Sequence, residues 1–474
     1  MKRILSLAMA LLMLLTSVLV VACAKDGADE ESATTVETTA PAGEEIFEAP
    51  PVEDFDGRTC NILTLTGSSL LAGVESDSEA ISNALVERTN WVQDTYNVKM
   101  QLSTVDDGND YMALQNSYLG GLREYDMVVP HPTKFLASMM ASGMMQDLGA
   151  CEEIDLTKPW WNQSQVENYN IQGKLFFGVS DFNLNKRGFS VVVINQDRFK
   201  ALFDEDIYEL VDEGKWTFDA MKEYVIAAAE PSTDPEVAVY GFSINGSVSG
   251  FYYWAGETLL KRNDEGNLEL KFDVDRCSDI AAKVMQIVTG DHCLKDNYYN
   301  NTFVNSTAWS SFSGGRILMM SIDLGAHGHM LRDISFETAY APPAKFDESQ
   351  ESYTQICSAG FVGIPNDAKD LHFSALLLEA LNWHSYYNFR PAYFDTYMSY
   401  IVSKNAKDYE MLELVLDHTV YDLGYVLDSQ GTQTGLALGL LDAVVMQGEG
   451  VASYIQTNEK TANNNFQNII KDIY

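Results

Sequence analysis

Residues 98–130 read VKMQLSTVDDGNDYMALQNSYLGGLREYDMVVP, and this stretch decides the class of fold. Val98-Lys-Met-Gln-Leu102 alternates apolar and polar side chains, the period of a half-buried strand. Asp110 to Leu122 then reads as a helix. Tyr125-Asp-Met-Val-Val129 is a second strand, stopped by Pro130 and Pro132, which have no amide to give to a ladder. Upstream, Asn61-Ile-Leu-Thr-Leu65 reads as a further strand. Between it and Val98, Asp77/Ser78 caps a helix whose Ile81, Ala84, Leu85, Arg88 and Trp91/Val92 recur at helical spacing. Phe135 to Met145 is the next helix. Strands separated by helices of this length imply a parallel sheet built from βαβ crossovers.

The chain before this section has a different character. Met1-Lys2-Arg3 is followed by an unbroken, mostly apolar run from Ile4 to Val21 and then Ala22-Cys23. A basic start, an apolar run and a small residue at the cut site are the parts of a secretory signal. With cysteine at the cut, Val20-Val21-Ala22-Cys23 resembles the lipobox of a bacterial lipoprotein. That resemblance implies removal of residues 1–22 and a diacylglyceryl group on the Cys23 thiol, two acyl chains being enough for stable anchoring. The competing reading is an uncleaved anchor, since the run is about long enough to span a bilayer. Either way, the residues after Cys23 are expected outside the cytoplasmic membrane. Residues 23–59 are rich in Asp, Glu, Thr, Ala and Pro and poor in large apolar side chains, which predicts a disordered acidic tether.

The remaining chain is too long for one ordinary core, and two lobes are expected. A net charge of -37 excludes nucleic acid as a partner, because phosphate binding needs a basic surface. It also disfavours attachment to anionic lipid, leaving the lipid anchor as the one membrane link. Apart from Cys23 there are five widely spaced cysteines, an odd number that does not form a disulfide framework.

Several passages, in order, resemble the large extracellular solute-binding proteins of bacterial ABC importers, the family 1 group dominated by sugar binders. Tyr125-Asp-Met-Val-Val with Phe135-Leu-Ala-Ser-Met-Met-Ala-Ser-Gly-Met-Met-Gln-Asp-Leu148 is similar to the family's strand, helix, small-residue turn and Asp-Leu. Ile154-Asp-Leu-Thr-Lys-Pro-Trp-Trp-Asn162 and Ile171-Gln-Gly-Lys-Leu-Phe-Phe177 resemble its approach to the interlobe crossing. Val193-Ile-Asn-Gln-Asp-Arg-Phe199 and Gly214-Lys-Trp-Thr-Phe218 resemble the opening of its second lobe. Phe312-Ser-Gly-Gly-Arg-Ile-Leu-Met-Met-Ser321 and Ala341-Pro-Pro-Ala-Lys345 resemble its return to the first. The resemblance implies an α/β, two-lobed periplasmic-binding-protein-like fold of type II. Each lobe would be a mainly parallel sheet flanked by helices, with the ligand cleft between lobes. It divides the chain into lobe 1 (60–177 and 306–385), lobe 2 (187–305 and 388–474) and crossings at 178–186 and 386–387.

A sugar presents flat C–H faces, which aromatic rings bury, and rings of hydroxyls, which charged and amide side chains bond. Phe251-Tyr252-Tyr253-Trp254 is the densest aromatic cluster and follows a strand end, which makes Trp254 and Tyr252 ligand candidates. Core packing at a helix start is the competing role. Asp323 ends the apolar run Ile317–Ile322, where it would face the cleft or cap a helix. Trp309 and Trp383 are further aromatic candidates. Asp181 and Arg187 flank the crossing, and His131 follows the third strand. Trp160-Trp161 is read as packing.

Enzyme signatures are missing. His327-Gly-His329 has no third ligand nearby, and Asp273-Val-Asp-Arg-Cys-Ser-Asp279 starts like a calcium loop but carries Ser278 and Val284 where glycine and glutamate belong. The sequence holds no Gly-x-Ser-x-Gly elbow, His-Glu-x-x-His or phosphate-binding loop. The expectation is therefore a monomeric, non-enzymatic, lipid-anchored receptor without metal or cofactor, which hands a carbohydrate to ABC permease subunits. The alternative is a secreted glycan-degrading or glycan-adhesive lipoprotein, since any chain with 68 acids offers carboxylate pairs. If Cys23 is the attachment point, Cys23→Ala will abolish incorporation of radiolabelled fatty acid into the protein. Label persisting in that variant rules out the anchor.

Overall fold

The computed structural model describes residues 46–66, 68, 70–71, 78–132, 134–184, 190–245, 247–265, 267–296, 305–323, 330–331, 334–357, 360–428 and 437–472. The apolar N-terminal run, Cys23, Arg187, His327 and His329 lie outside these residues.

The first lobe opens as the alternation in residues 58–145 predicts. Strand β1 (Arg58–Leu65) is followed by helix α1 (Glu79–Tyr96), β2 (Val98–Val105), α2 (Asp110–Gly120), β3 (Met127–Val128) and α3 (Leu136–Ala141). The three strands form a parallel sheet in the order β2-β1-β3, with β1 and β2 in register from Arg58 opposite Val98 to Leu65 opposite Val105. α1 buries Ile81, Ala84, Leu85, Arg88 and Val92, the stripe its sequence shows. It stops at Asn97, which takes the left-handed conformation (φ 47°) that asparagine tolerates. Helix α4 (Gln163–Asn168) and β4 (Gly178–Val179) complete the first pass.

The second lobe is built on five strands. β5 (Ser190–Asn195) leads through α5 (Gln196–Phe203) and α6 (Phe218–Ala228) to β6 (Tyr240–Asn245), and then to the short α7 (Gly250–Trp254). A hairpin of β7 (Leu260–Arg262) and β8 (Leu268–Leu270) precedes α8 (Val274–Val288) and β9 (Cys293–Asp296). Then come α9 (Thr307–Ser313), β10 (Ile317–Asp323) and β11 (Thr338–Ala341). The sheet order is β11-β5-β10-β6-β9; β10, β6 and β9 run parallel, and β5 is antiparallel to both its neighbours. Gly241 in β6 lies so close to the Val225 carbonyl of α6 that no Cβ fits there, which lets helix and sheet approach closely. Asp273, which opens the calcium-like run, caps α8 by accepting the Arg276 amide.

The division into lobes differs from the expected one. The resemblance puts residues 306–385 in the first lobe, yet within that range β10 pairs with β5 and β6, and β11 with β5, in the second sheet. Ile317 to Met320 are fully buried, so this run is a central strand and fills the gap between β5 and β6. The chain returns to the first lobe later, after β12 (Gln355–Ile356), with β13 (Phe361–Val362) against β4 and Gly363 bridged to Val128. The last passage is also displaced from 386–387. Helix α10 (Leu371–His384) runs on through widened π turns at Ser385–Phe389 and Ala392–Val402, and both of these lie against α1. Only then does α11 (Ala406–Asp417) pack on β11 and β5. The buried Asp408 carboxylate fixes it there, accepting the Tyr208 hydroxyl (2.7 Å) and the Tyr340 and Lys404 amides (3.0 Å each). β14 (Thr419–Val420), which pairs with β12, and the C-terminal α12 (Val451–Asp472) complete the lobe.

The tether is shorter than its composition suggests, because residues from Phe47 onward are docked on the first lobe. The Phe47 ring meets Trp160 edge-on at 5.6 Å and Tyr386 at 6.4 Å, its amide donates to the Tyr387 hydroxyl, and its carbonyl accepts the Trp383 indole N–H. Tyr96 bonds the Pro50 carbonyl, Asn97 bonds Asp54, and Phe55 packs on Phe373 at 4.8 Å. Two aromatic side chains and a few hydrogen bonds thus order a segment whose remaining residues are mostly acidic or proline.

His372 clamps this strap by bridging Glu53 and Glu153, and those two partners push its imidazole up to about 9. A pKa raised by folding gives stability that is fully present below the ordinary value of 6.5 and lost as pH rises through about 9. Amide exchange at residues 47–57 should therefore accelerate between pH 7 and 10, after correction for intrinsic rates, and His372→Gln should remove that step. Identical profiles for the two proteins would exclude the clamp.

Candidate functional site

Open α/β sheets bind ligands beyond the carboxyl ends of their strands. In the first lobe these ends are Leu65, Val105 and Val128; in the second they are Asn245, Asp296 and Asp323, beside Ser190 where the antiparallel β5 begins.

In the first lobe, His131 becomes part of a polar group. Its ring Nδ1 accepts the Lys134 amide (3.1 Å), which fixes the tautomer with hydrogen on Nε2. Nε2 stands 3.3 Å from Asp107 Oδ1, and the Lys134 ammonium reaches Asp107 Oδ2 at 2.7 Å. The Lys134 hydrogen bond holds the Asp107 carboxyl below its usual range, while burial pulls the His131 imidazole below 6.5. At neutral pH the group therefore offers an exposed carboxylate, an ammonium and a neutral imidazole. The buried Asp110 carboxylate supports it from beneath, accepting the His131 amide at 2.7 Å. Phe135 stacks on Tyr111 (5.3 Å, 15°) and has φ 61°, a left-handed backbone that costs energy for an aromatic residue and clusters at functional sites. Sequence reading found His131 alone. Asp107 and Lys134 carried no separate signal, and their spacing in the chain does not reveal that they meet.

At the crossing, Asp181 is buried and pairs with Arg390 at 3.4 Å. Burial pushes its carboxyl up to about 6, against the opposing pull of the guanidinium. Arg390 is partly exposed and lies over the rings of Tyr386 (5.6 Å) and Phe394 (5.7 Å). It stands between the two π segments, a distortion frequent at functional sites.

The second lobe keeps one aromatic candidate near its strand ends. Trp309 lies half-buried on the first turn of α9, just past β9, and the Asp296 carboxylate holds that turn by accepting the Ala308 amide (2.9 Å). Asp323 ends β10, although its side chain lies outside the described residues. The loop after β6 is tied down by Asp442, which accepts Ser247 Oγ–H (2.8 Å) and the Val248 amide (2.7 Å).

The aromatic cluster of α7 is core. Trp254 is 5% exposed, lies 4.2 Å from the Phe251 ring, and its carbonyl accepts the Gln350 side-chain amide. Tyr252 packs edge-on against Tyr253 and Phe272, and the Tyr253 hydroxyl donates to buried Asp422 (3.0 Å). A helix of five residues has too little length to hold its own place, so its side chains are used to pin it. Trp383 is likewise structural, buried against Trp91 and Tyr387 with its indole N–H on Phe47. Among the described residues no group of three His, Cys, Asp or Glu could hold a metal ion, and the cysteines 60, 151, 277, 293 and 357 are buried without forming a disulfide.

A groove of about 920 Å³ lies elsewhere, between residues 163–173 on one side and the β7–β8 hairpin with α12 on the other. None of its lining residues belongs to a loop leaving the carboxyl end of a parallel strand in either lobe's sheet; those from the second lobe lie on the antiparallel β7–β8 hairpin and α12.

No protein-family model and no curated protein sequence matches this chain. Solved structures do. An ABC substrate-binding protein from Listeria monocytogenes, in complex with cycloalternan, superposes with a TM-score of 0.57 at 15% identity, covering 87% of this chain and 100% of that one. The sugar-binding protein MalE from Xanthomonas citri gives 0.59 at 10% identity over 86% and 97%. The GacH receptor of Streptomyces glaucescens, solved unliganded and with acarbose, gives 0.54 at 12% over 88% and 99%. The chain has the two-lobed type II fold of these binding proteins.

Because Trp254 and the strand-end residues are separated in this way, Trp254→Ala should act on folding. A loss of about 3–5 kcal/mol of stability is expected for deleting a core tryptophan, read as a lower melting temperature, with solute affinity unchanged in the folded fraction. Reduced affinity at an unchanged melting temperature would return Trp254 to the site.

Proposed function

We propose that this protein is the extracellular solute-binding receptor of an ABC importer, held to the membrane through Cys23, and that it captures a carbohydrate and delivers it to the permease. One observation supports the reading: the chain has a two-lobed α/β fold of type II, with a parallel sheet in the first lobe and parallel β10, β6 and β9 in the second, and ligands of such sheets sit beyond the strands' carboxyl ends. The fold likeness to proteins crystallised with cycloalternan and acarbose supports the ligand class.

The chemistry assigned to the cleft follows from its side chains. Asp107 and Lys134, oriented by His131, bond hydroxyls by charge-assisted hydrogen bonds, and Arg390 with Asp181 does the same at the crossing. Trp309 supplies a face for a sugar ring. Lobes this rigid close as bodies about the short passages, so the closed form differs in shape from the open one and a permease can distinguish them.

Calorimetric titration with a panel of neutral sugars and oligosaccharides, followed by product analysis, tests the reading. Binding without product is expected; glycan cleavage would make the protein an enzyme, and no binding across the panel would reject the ligand class. For a sugar that binds, Lys134→Ala and Trp309→Ala should each weaken affinity at least tenfold, about 1.4 kcal/mol, with the melting temperature of the unliganded protein little changed. Small-angle scattering should show a smaller radius of gyration with that sugar than without it.

A further inference from the structure

The groove of about 920 Å³ shares no lining residue with the strand-end groups just described. One wall belongs to the first lobe: α4 and the following turn, tied to β4 by Gln165, which bonds the Phe177 carbonyl and the Val179 amide. The other belongs to the second lobe: the β7–β8 hairpin laid on α12. Arg262 spans the gap, its guanidinium donating to the backbone carbonyls of Asn170 (3.3 Å) and Glu167 (3.5 Å).

Side-chain amides dominate the polar lining. Several are fixed by one bond to backbone: Asn463 accepts the Leu270 amide (3.2 Å), Gln467 donates to the Leu268 carbonyl (2.8 Å), and Asn170 accepts the Gly173 amide (2.7 Å). Each such bond orients the amide plane and leaves its other end for a solute, which lowers the ordering cost of binding. Gln172 and Asn267 face the same groove from opposite walls. Amides both donate and accept, as hydroxyl groups do. The charged lining, Arg262 against Glu167 and Glu269, gives no net positive field for an anion. Val166, Ile171, Leu268 and Ile470 add apolar strips against which C–H faces can rest. The volume lies within the range of small-molecule sites.

We propose that this groove is a second binding site for a neutral oligosaccharide, distinct from the strand-end cleft. The proposal shares its ligand class with the proposed function and adds a second place for it. Since the walls come from different lobes, occupancy of the groove depends on the angle between them. Binding there and binding in the cleft are then coupled, each changing the other's affinity by the same factor.

Hydrogen–deuterium exchange on the full mature chain, with maltodextrins, xylo-oligosaccharides, cello-oligosaccharides and raffinose as probes, tests the groove. Expected is slowed exchange at 163–173, 262–270 and 459–470 in addition to slowing near residues 107–135 and 306–313, with two binding events per chain in titration. The variant Gln172→Ala/Asn267→Ala should lose slowing at the groove by at least tenfold in midpoint concentration while keeping it at the strand ends, which also shows that it is folded. Slowing confined to the strand ends, or unchanged groove protection in the variant, overturns the second site and leaves the proposed function standing. Slowing nowhere with any probe overturns both.

Discussion

A single buried cation fixes the junction on which the two-lobed arrangement depends. Arg88, fully buried in α1, donates to the Phe182 carbonyl (2.9 Å), to Ser385 Oγ (2.8 Å) and to the Leu70 carbonyl, between the rings of Phe182 and Phe389. Burying a guanidinium is costly unless its hydrogen bonds are made, and here carbonyl oxygens and ring faces take the place of a carboxylate. Those contacts specify where the first crossing leaves the lobe and where the helix after α10 begins to widen. Asn382 completes the junction by accepting the Phe182 amide, and beside it His384 is pushed down to about 3 by burial and by Arg88, so it stays neutral and adds no repulsion at physiological pH.

On the other side of the crossings an acid plays the matching part. Buried Asp422 accepts the Leu259 amide (2.6 Å), the Gly424 amide (2.8 Å) and the Tyr253 hydroxyl (3.0 Å), while its own carbonyl accepts the Tyr169 hydroxyl from the first lobe (3.4 Å). Close-packed bodies pinned in this manner resist internal deformation. The proposed closure would then be confined to the short connecting passages.

The same division of labour runs through the acids and aromatics that make the composition unusual. Among the described residues many acids lie at the surface, but Asp408, Asp422 and Glu379 are buried organisers. Glu379 accepts both indole N–H groups of Trp160 (3.0 Å) and Trp161 (3.2 Å), and burial pushes its carboxyl up to about 8. The tryptophan pair thus carries the wall on which Phe47 rests, which accounts for its packing role. The residues that the proposed site uses are fewer and more exposed: Asp107, His131, Lys134 and Trp309 near strand ends, and Arg390 at the crossing.

What the sequence by itself determined is what depends on neighbours a few residues away. The strand and helix periods of residues 58–145, the helix start at Ser78, and the acidic, proline-containing character of the N-terminal region are local properties, and the first lobe's parallel sheet follows from them. Tertiary structure alone decided matters that hang on distant partners. An apolar run such as Ile317–Ile322 says that a strand is buried but not between which strands, so β10 could be placed only by its pairing with β5 and β6. Phe47 and Phe55 look like stray aromatics in a tether until Trp160, Trp383 and Phe373 surround them. Tyr252 and Trp254 have the composition of a sugar platform, and their burial is set by Phe251, Phe272 and the rest of the second lobe's core. His131 was legible because it follows a strand, whereas its companions Asp107 and Lys134 join it only when two loops of a parallel sheet are brought to one edge. Periodicity encodes which face of an element is apolar; the identity of what covers that face is a long-range fact, fixed by packing.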